Sequence, residues 1–412
     1  MTNYRITSCR ICKSSKLYEF LSLGSMPAPN KFLAKEELRK KEHYYPLRVC
    51  VCQNCWLMQL SHVIPPKILF RNYLYIPSTS ETMLTHFKSL SEEVMKALAL
   101  KPKSFVVDIG SNDGTLLSLF KEKEMETLGV DPATNLAFVA RMRGIDTMDN
   151  FFTYTLAEKI LSHSGKAKGI LATNVFAHID DLHDACRGVR MLLDNQGLFI
   201  LEFPYVLDLL ENNEFDTIYH EHLSYFSVTP LLRLFREHDM KIVSIQSIPV
   251  HGGSVRMYVA KNRSHYKETH VLSDFIEREK VKHLDSNSPY DDFHHRVEKL
   301  KKELANHLKR LKKREKRIVG YGASAKGNIL TNYCNIGTDI LDYIVDSIPF
   351  KQGKYTPGKH IPIFPENRLL RDMPDYTLLL AWNFAYEILK KQWIYRERGG
   401  RFIITVPHLR IE

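Results

Sequence analysis

Residues 104–114 read Ser104-Phe-Val-Val-Asp-Ile-Gly-Ser-Asn-Asp-Gly114. An apolar run closed by Asp108 and Gly110 is the pattern of a strand buried on both faces, and the small residues after it let a helix or a ligand approach the strand end closely. Apolar runs at 127–130, 169–172 and 198–201 repeat the pattern, alternating with helical periodicity at 135–143, 155–163 and 181–193. A further helix is expected over 86–100, ahead of Pro102. Strand–helix alternation predicts a doubly wound parallel sheet, which takes ligands at the carboxyl ends of its strands. A second unit of this kind opens at Arg317-Ile-Val-Gly-Tyr-Gly322 and continues through 341–346, 376–381 and 402–406.

Between the two units, Arg296 to Arg317 hold eleven Lys/Arg and three Glu. Val297, Leu300, Leu304, Leu308 and Leu311 recur at three and four, so the segment reads as an amphipathic helix with a solvated basic face. Most of the chain's net charge of +11 sits on that one helix. The charge therefore argues for no nucleic-acid partner, while an anionic small molecule stays compatible. The 412 residues, 44% hydrophobic and 25% charged, suit two or three globular domains and exclude disorder or collagen as descriptions of the whole chain. No apolar run approaches the ~18 residues of a membrane span. The start MTNYRITSCR lacks an apolar core, so no membrane association and a cytoplasmic protein are expected; a monomer is the expected state.

Five of the seven cysteines fall within the first 55 residues, as Cys9-x-x-Cys12, Cys50 and Cys52-x-x-Cys55. Two CxxC pairs are the spacing of a tetrahedral zinc site, each tight turn presenting two thiolates on one side. Cys9, Cys12, Cys52 and Cys55 are the expected ligands, with Cys50 a competitor for the second pair. Four thiolates leave no open position, so the metal is structural. The 39 residues between the pairs must pack as an element of their own.

The loop after the first strand carries the cofactor chemistry. Gly110, Asn112 and Asp113 lie at the strand end, and Asp131, at the end of the next strand, is placed to accept two ribose hydroxyls. Asn174 stands at the corresponding end of a third strand. Such a site serves a dinucleotide or S-adenosylmethionine. Acidic Asp113 disfavours a pyrophosphate and tolerates a sulfonium, which favours S-adenosylmethionine. The Gly320-x-Gly322-x-x-x-Lys326-Gly327 loop, with Asp346 after the next strand, competes as a dinucleotide site of an oxidoreductase, or is simply a tight strand–helix turn.

Asn174-Val-Phe-Ala-His178 and Asp216-Thr-Ile-Tyr219-His220-Glu221-His222 are too dense in titratable groups for core filling. His220 and His222, two apart, do not make a metalloprotease helix, and a third metal ligand for them is not evident. Proton transfer fits better: a His oriented by a neighbouring Glu, with a Tyr hydroxyl for a developing oxyanion.

These segments together resemble the nucleotide-sugar C-methyltransferases of deoxysugar biosynthesis. The resemblance runs nearly end to end, through CRIC, PLRVCVCQNCWLMQL, YLYIPSTSETMLTHF, DIGSNDGTLL, GVDPATN, ATNVFAHIDDLHD, EFPY, FDTIYHEHLSYFS, HGGSVRMYV, YGASAKGN and DSIPFKQGKYTPGKHIPI. It implies an α/β chain of three regions: an N-terminal zinc-binding module (1–70), a class I S-adenosylmethionine-dependent methyltransferase domain (71–265), and a second Rossmann-like domain led by the basic helix (266–412). It further implies a catalytic cluster of Tyr73, His178, Tyr219, Glu221 and His222, with His222 as base, a structural zinc, and a nucleotide-diphosphate sugar as substrate. Pro77-Ser78 stands where Ser-Ser is more usual, a minor backbone change.

The chemistry follows from the substrate class. A sugar carbon attacks a methyl sulfonium only when a neighbouring 4-keto group lets C3 lose its proton to give an enolate. His222 would take that proton, Glu221 or Tyr219 orienting it, while His178 and a Tyr hydroxyl hold the enolate oxygen. Lys326, Lys351 and Lys354 are the expected holders of the diphosphate.

Overall fold

The computed structural model describes residues 4–71, 73–250 and 252–412. The apolar run at 105–109 is an interior strand of a seven-stranded sheet. Its order is Met240–Ile248, Ser254–Lys261, Leu193–Pro204, Ala167–Thr173, Phe105–Ile109, Glu126–Val130 and Thr147–Met148. The last five are parallel, as expected from the alternation. Ser254–Lys261, however, runs antiparallel to both of its neighbours. Only five residues separate it from Met240–Ile248, too few for a crossover and enough for a hairpin, so the sheet is mixed. Gly252 and Gly253 carry φ of +101° and +130° in that turn, a conformation other residues resist.

A six-stranded sheet follows in the order Ile363–Pro365, Ile344–Asp346, Ile318–Tyr321, Tyr376–Leu379, Arg401–Ile404 and Arg410–Ile411, parallel but for the last strand. In each sheet the first strand of the unit is flanked by the second on one side and a later one on the other. That places a topological switch point, and hence a crevice, at the carboxyl end of each.

The basic helix spans Ser288–Lys313. It begins earlier than the Lys/Arg run because Tyr290 and Phe293 continue the buried stripe of Val297, Leu300, Leu304, Leu308 and Leu311. Pro289 occupies its first turn, where a missing N–H costs nothing. The stripe packs toward the N-terminal sheet, where Phe20 and Tyr290 lie 5.2 Å apart and the Tyr18 hydroxyl donates to Asp291 at 2.8 Å.

That N-terminal sheet is antiparallel: Leu17–Met26, Tyr45–Cys52, Met58–Leu60 and Ser224–Tyr225. The long segment between the CxxC pairs supplies its first strand and most of its second. The fourth strand comes from much later in the chain, immediately after His222. Met58 pairs with Tyr225 and Gln59 with Ser224, so the cysteine-bearing sheet and the His-rich loop are one hydrogen-bonded unit.

Candidate active site

The two CxxC turns bring Cys9, Cys12, Cys52 and Cys55 together, their sulfurs all within 4.8 Å of one another. Cys9 and Cys55 approach to 3.5 Å, Cys12 and Cys52 to 3.4 Å. A tetrahedron of ~2.3 Å zinc–sulfur bonds has edges of ~3.8 Å, so the donor set fits zinc. Cys50 takes no part: its thiol points to the Gln59 carbonyl at 3.5 Å, and burial pushes its pKa up to about 12. Cys50 lies within the strand opposite Gln59, whereas Cys52 is its last residue and opens the turn to Cys55.

At the carboxyl ends of the middle strands lies a cavity of about 510 Å³, within the range of small-molecule sites. Gly110, Asn112, Asp113, Asp131 and Asn174 all line it. Gly110 has φ +73°, and a Cβ there would meet Val175 at 2.6 Å, so the turn admits only glycine. Asp131 accepts the Asn112 N–H at 2.9 Å and the Ala133 N–H at 2.8 Å. Burial raises its carboxyl and those two N–H bonds pull it back. The Asn174 Oδ1 is buried with no partner among the described residues, an acceptor available to a donor. Asp113 behaves differently from a bare acidic loop. Its carboxylate is fully buried, paired with Arg143 at 2.7 Å and bonded by the Ser78 and Thr115 hydroxyls at 2.6 Å each. Its charge is thereby offset, and what it does in this fold is pin the loop to the residues around it.

Tyr73, His178, Tyr219 and His222 line the same cavity. His222 Nδ1 lies 2.9 Å from the Thr217 carbonyl, which only accepts, so this nitrogen carries a hydrogen; in the neutral ring the lone pair is then on Nε2. The ring centroids of Tyr219 and His222 lie 3.9 Å apart, and His178 stacks on His222 at 5.0 Å. Burial alone lowers His178 to about 4, so it is neutral at pH 7, and its buried Nε2 has no partner among the described residues.

Glu221 does not orient His222. Its two carboxylate oxygens are engaged by Asn30 Nδ2 at 2.8 Å and the Tyr73 hydroxyl at 2.9 Å, while the Thr217 carbonyl orients the ring. Adjacent residues in the Tyr219–His222 turn project in different directions, which adjacency in sequence conceals. Burial pushes Glu221 up to about 7, against the pull of its two donors. His220 lies outside the cavity lining and faces the Tyr45 carbonyl at 3.2 Å.

The second switch point opens onto the same cavity. Gly322, Ser324, Lys326, Asp346 and Lys351 line it, and Lys354 does not. Asp346 accepts the Ala323 N–H and the Ile348 N–H, both at 2.7 Å, the same scheme that Asp131 shows. Lys351 donates to the Ala323 carbonyl at 2.8 Å and Lys326 to the Thr217 hydroxyl at 2.6 Å. Asn30 and Thr217 are the contributors that the sequence reading missed. One sits in a Pro-rich turn and the other acts through a backbone carbonyl, so neither carries a residue-type signature.

Family models match the chain in three consecutive parts. They are described as a zinc binding domain over residues 9–70, a methyltransferase domain over 84–245 and a C-methyltransferase C-terminal domain over 249–407. The C-methyltransferase NovU of Streptomyces niveus is 36% identical over 406 residues, covering 98% of this chain and 97% of that protein. The chain belongs to the C-methyltransferase family. It is an S-adenosylmethionine-dependent enzyme, with a class I methyltransferase fold and a four-cysteine zinc site. Solved structures are matched over less of the chain. The YcgJ protein of Bacillus subtilis is 16% identical over 43% of this chain and 98% of that one, with a TM-score of 0.35. The plantazolicin methyltransferase BpumL in complex with SAH is 14% identical over 44% of this chain and 86% of that one, with a TM-score of 0.36. Among the described residues, no helix is long and apolar enough to cross a membrane.

Proposed function

We propose that this C-methyltransferase acts on C3 of a nucleotide-linked 4-keto-deoxysugar, through an enolate. The observation that carries the reading is the anchoring of His222: its Nδ1–H donates to the Thr217 carbonyl, so the neutral ring has its basic nitrogen at Nε2, and the residue lines the cavity that Asp131 and Asn174 share. The methyl donor, when bound along Gly110, Asn112, Asp131 and Asn174, supplies an electrophilic methyl group on a sulfonium.

His222 Nε2 takes the C3 proton, and the C–H electron pair becomes the enolate, its charge on the C4 oxygen. The new C3–methyl bond forms as the methyl–sulfur bond breaks, leaving a neutral thioether, and the imidazolium returns its proton to solvent. His178, neutral and with a ring nitrogen to offer, donates to the enolate oxygen. Tyr73 is a conditional donor. With Glu221 ionised, the phenol proton is held by the carboxylate. With Glu221 protonated, the carboxyl donates to Tyr73 and the phenol proton turns toward the substrate. Glu221 at about 7 keeps both arrangements accessible near neutrality. Positioning the carbon ~3–3.5 Å from the methyl supplies much of the remaining rate.

The nucleotide portion lies along the second switch point, where Asp346 repeats the Asp131 scheme. The test is a panel of nucleotide-linked 4-keto-deoxysugars with enzyme and methyl donor, read by mass spectrometry and by NMR of the product carbon. A C3-linked methyl group supports the reading. An O-methyl product, or methylation of sugars lacking the keto group, overturns it.

A further inference from the structure

The Ser324-Ala-Lys326-Gly327 stretch is a motif to which the reaction above gives no task. Lys326 lies at the start of the helix Ala325–Tyr333 and is only 8% exposed. A buried ammonium needs specific compensation. It finds this across the cavity: Nζ donates to the Thr217 hydroxyl at 2.6 Å and sits 4.3 Å from the centre of the Trp382 ring. Trp382, from the strand–helix connection after Tyr376–Leu379, in turn donates its indole N–H to Asp216 Oδ2 at 2.7 Å. Asp216 and Thr217, both buried, form the helical turn Phe215–Thr217 that leads into Tyr219 and His222. The carbonyl of the same Thr217 holds His222 Nδ1.

We propose that Lys326 and Trp382 are positioning residues for the base: by gripping the side chains of Thr217 and Asp216 they fix the Thr217 carbonyl that orients His222. Residues of the C-terminal sheet thus set the geometry of proton removal beside the middle one. This rests on the reading of His222 as base. It also reassigns Lys326, which contacts the catalytic loop and not the substrate diphosphate.

Two contacts through one residue predict a double-mutant cycle that does not add. The full zinc-loaded chain is used, with zinc content and S-adenosylhomocysteine calorimetry confirming each variant's fold. Lys326→Met removes a charged hydrogen bond and should lower kcat by about 10- to 100-fold, with KM for the nucleotide sugar nearly unchanged. Solvent deuterium exchange at C3, followed without methyl donor, should fall in parallel. Thr217→Val should cost a comparable factor, and the double variant no more than the worse single one. Factors that multiply overturn the proposal, as does a raised KM at unchanged kcat, which marks a phosphate contact. Slowed turnover with undiminished exchange also overturns it. Trp382→Phe keeps an aromatic face but loses the N–H together with the five-membered ring, so it tests the grip where Lys326→Met fails to fold. A fall in exchange of about 5-fold is expected, and unchanged exchange removes Trp382 from the proposal. Exchange retained in His222→Asn would instead defeat the base assignment itself, an outcome read independently of the cycle.

Discussion

Two aspartates, Asp131 and Asp346, show the same backbone scheme at two switch points, and one substitution in each separates their tasks. Asp131→Asn leaves one acceptor oxygen where there were two. The new amide NH2 must face either the Asn112 N–H or the Ala133 N–H, contacts now 2.9 and 2.8 Å long. A carboxylate that accepted ribose hydroxyls would also lose one charge-assisted bond, worth about 1.5–3 kcal/mol. At 1.36 kcal/mol per decade, that bond alone weakens binding about 10- to 150-fold. The assay is calorimetry of S-adenosylhomocysteine with the zinc-loaded enzyme at pH 7.5. Asp346→Asn is the internal control. It disturbs the Ala323 and Ile348 N–H bonds in the same way, yet should leave S-adenosylhomocysteine binding within about 2-fold and raise KM for the nucleotide sugar. Undiminished binding by Asp131→Asn, or an equal loss from Asp346→Asn, would refute the division of the cavity.

His222→Asn should lower turnover by about 100-fold or more and abolish C3 deuterium exchange, while S-adenosylhomocysteine binding stays near wild type. His178→Asn should slow exchange only in part, since it withdraws a donor and keeps the base. Elemental analysis should find one zinc equivalent in the wild type and none in Cys52→Ser/Cys55→Ser, whose circular dichroism should also show loss of the N-terminal sheet; full zinc retention refutes the ligand set. Glu221 sits at about 7 when folded and near 4.5 when unfolded, so the folded state holds the extra proton between those values. Stability from this group is therefore full below pH 4.5 and falls through pH 7, by about 3 kcal/mol. Glu221→Gln should flatten that slope in urea midpoints taken at pH 5 and pH 8, and an unchanged slope rejects the assignment. Glu214, also raised to about 7, stays common to both proteins and cancels in the comparison.

Legibility differed by element for physical reasons. The run at 105–109 was readable because a strand covered on both faces needs nearly unbroken apolar residues, and all five are buried. The hairpin 240–261 was harder, since its antiparallel sense comes from the length of a connection rather than from residue types. The zinc ligands were legible as spacing, but only geometry separates Cys52 from Cys50. In the site, Tyr219, His222 and His178 carry chemistry in their side chains and stand out. Thr217 acts by its carbonyl, Asn30 by a contact across 191 positions of chain, and neither leaves a local trace. The misplaced role for Glu221 has the same origin: sequence neighbours in a tight turn need not be neighbours in space.

The pairing of Met58–Gln59 with Ser224–Tyr225 bears on how the enzyme comes into being. Contacts so distant along the chain carry a large loop-closure cost and form late. During synthesis the cysteine knuckles leave the ribosome long before the strand that completes their sheet. Until that strand arrives, the edge at Met58–Leu60, buried in the finished protein, is an open template for other chains. The base precedes that strand by two residues, so the step that closes this edge also brings His222 to its place beside the middle sheet. A nascent chain thus loses its open edge before it gains activity, because Lys326, Asp346 and Lys351, which complete the cavity, arrive only with the C-terminal sheet.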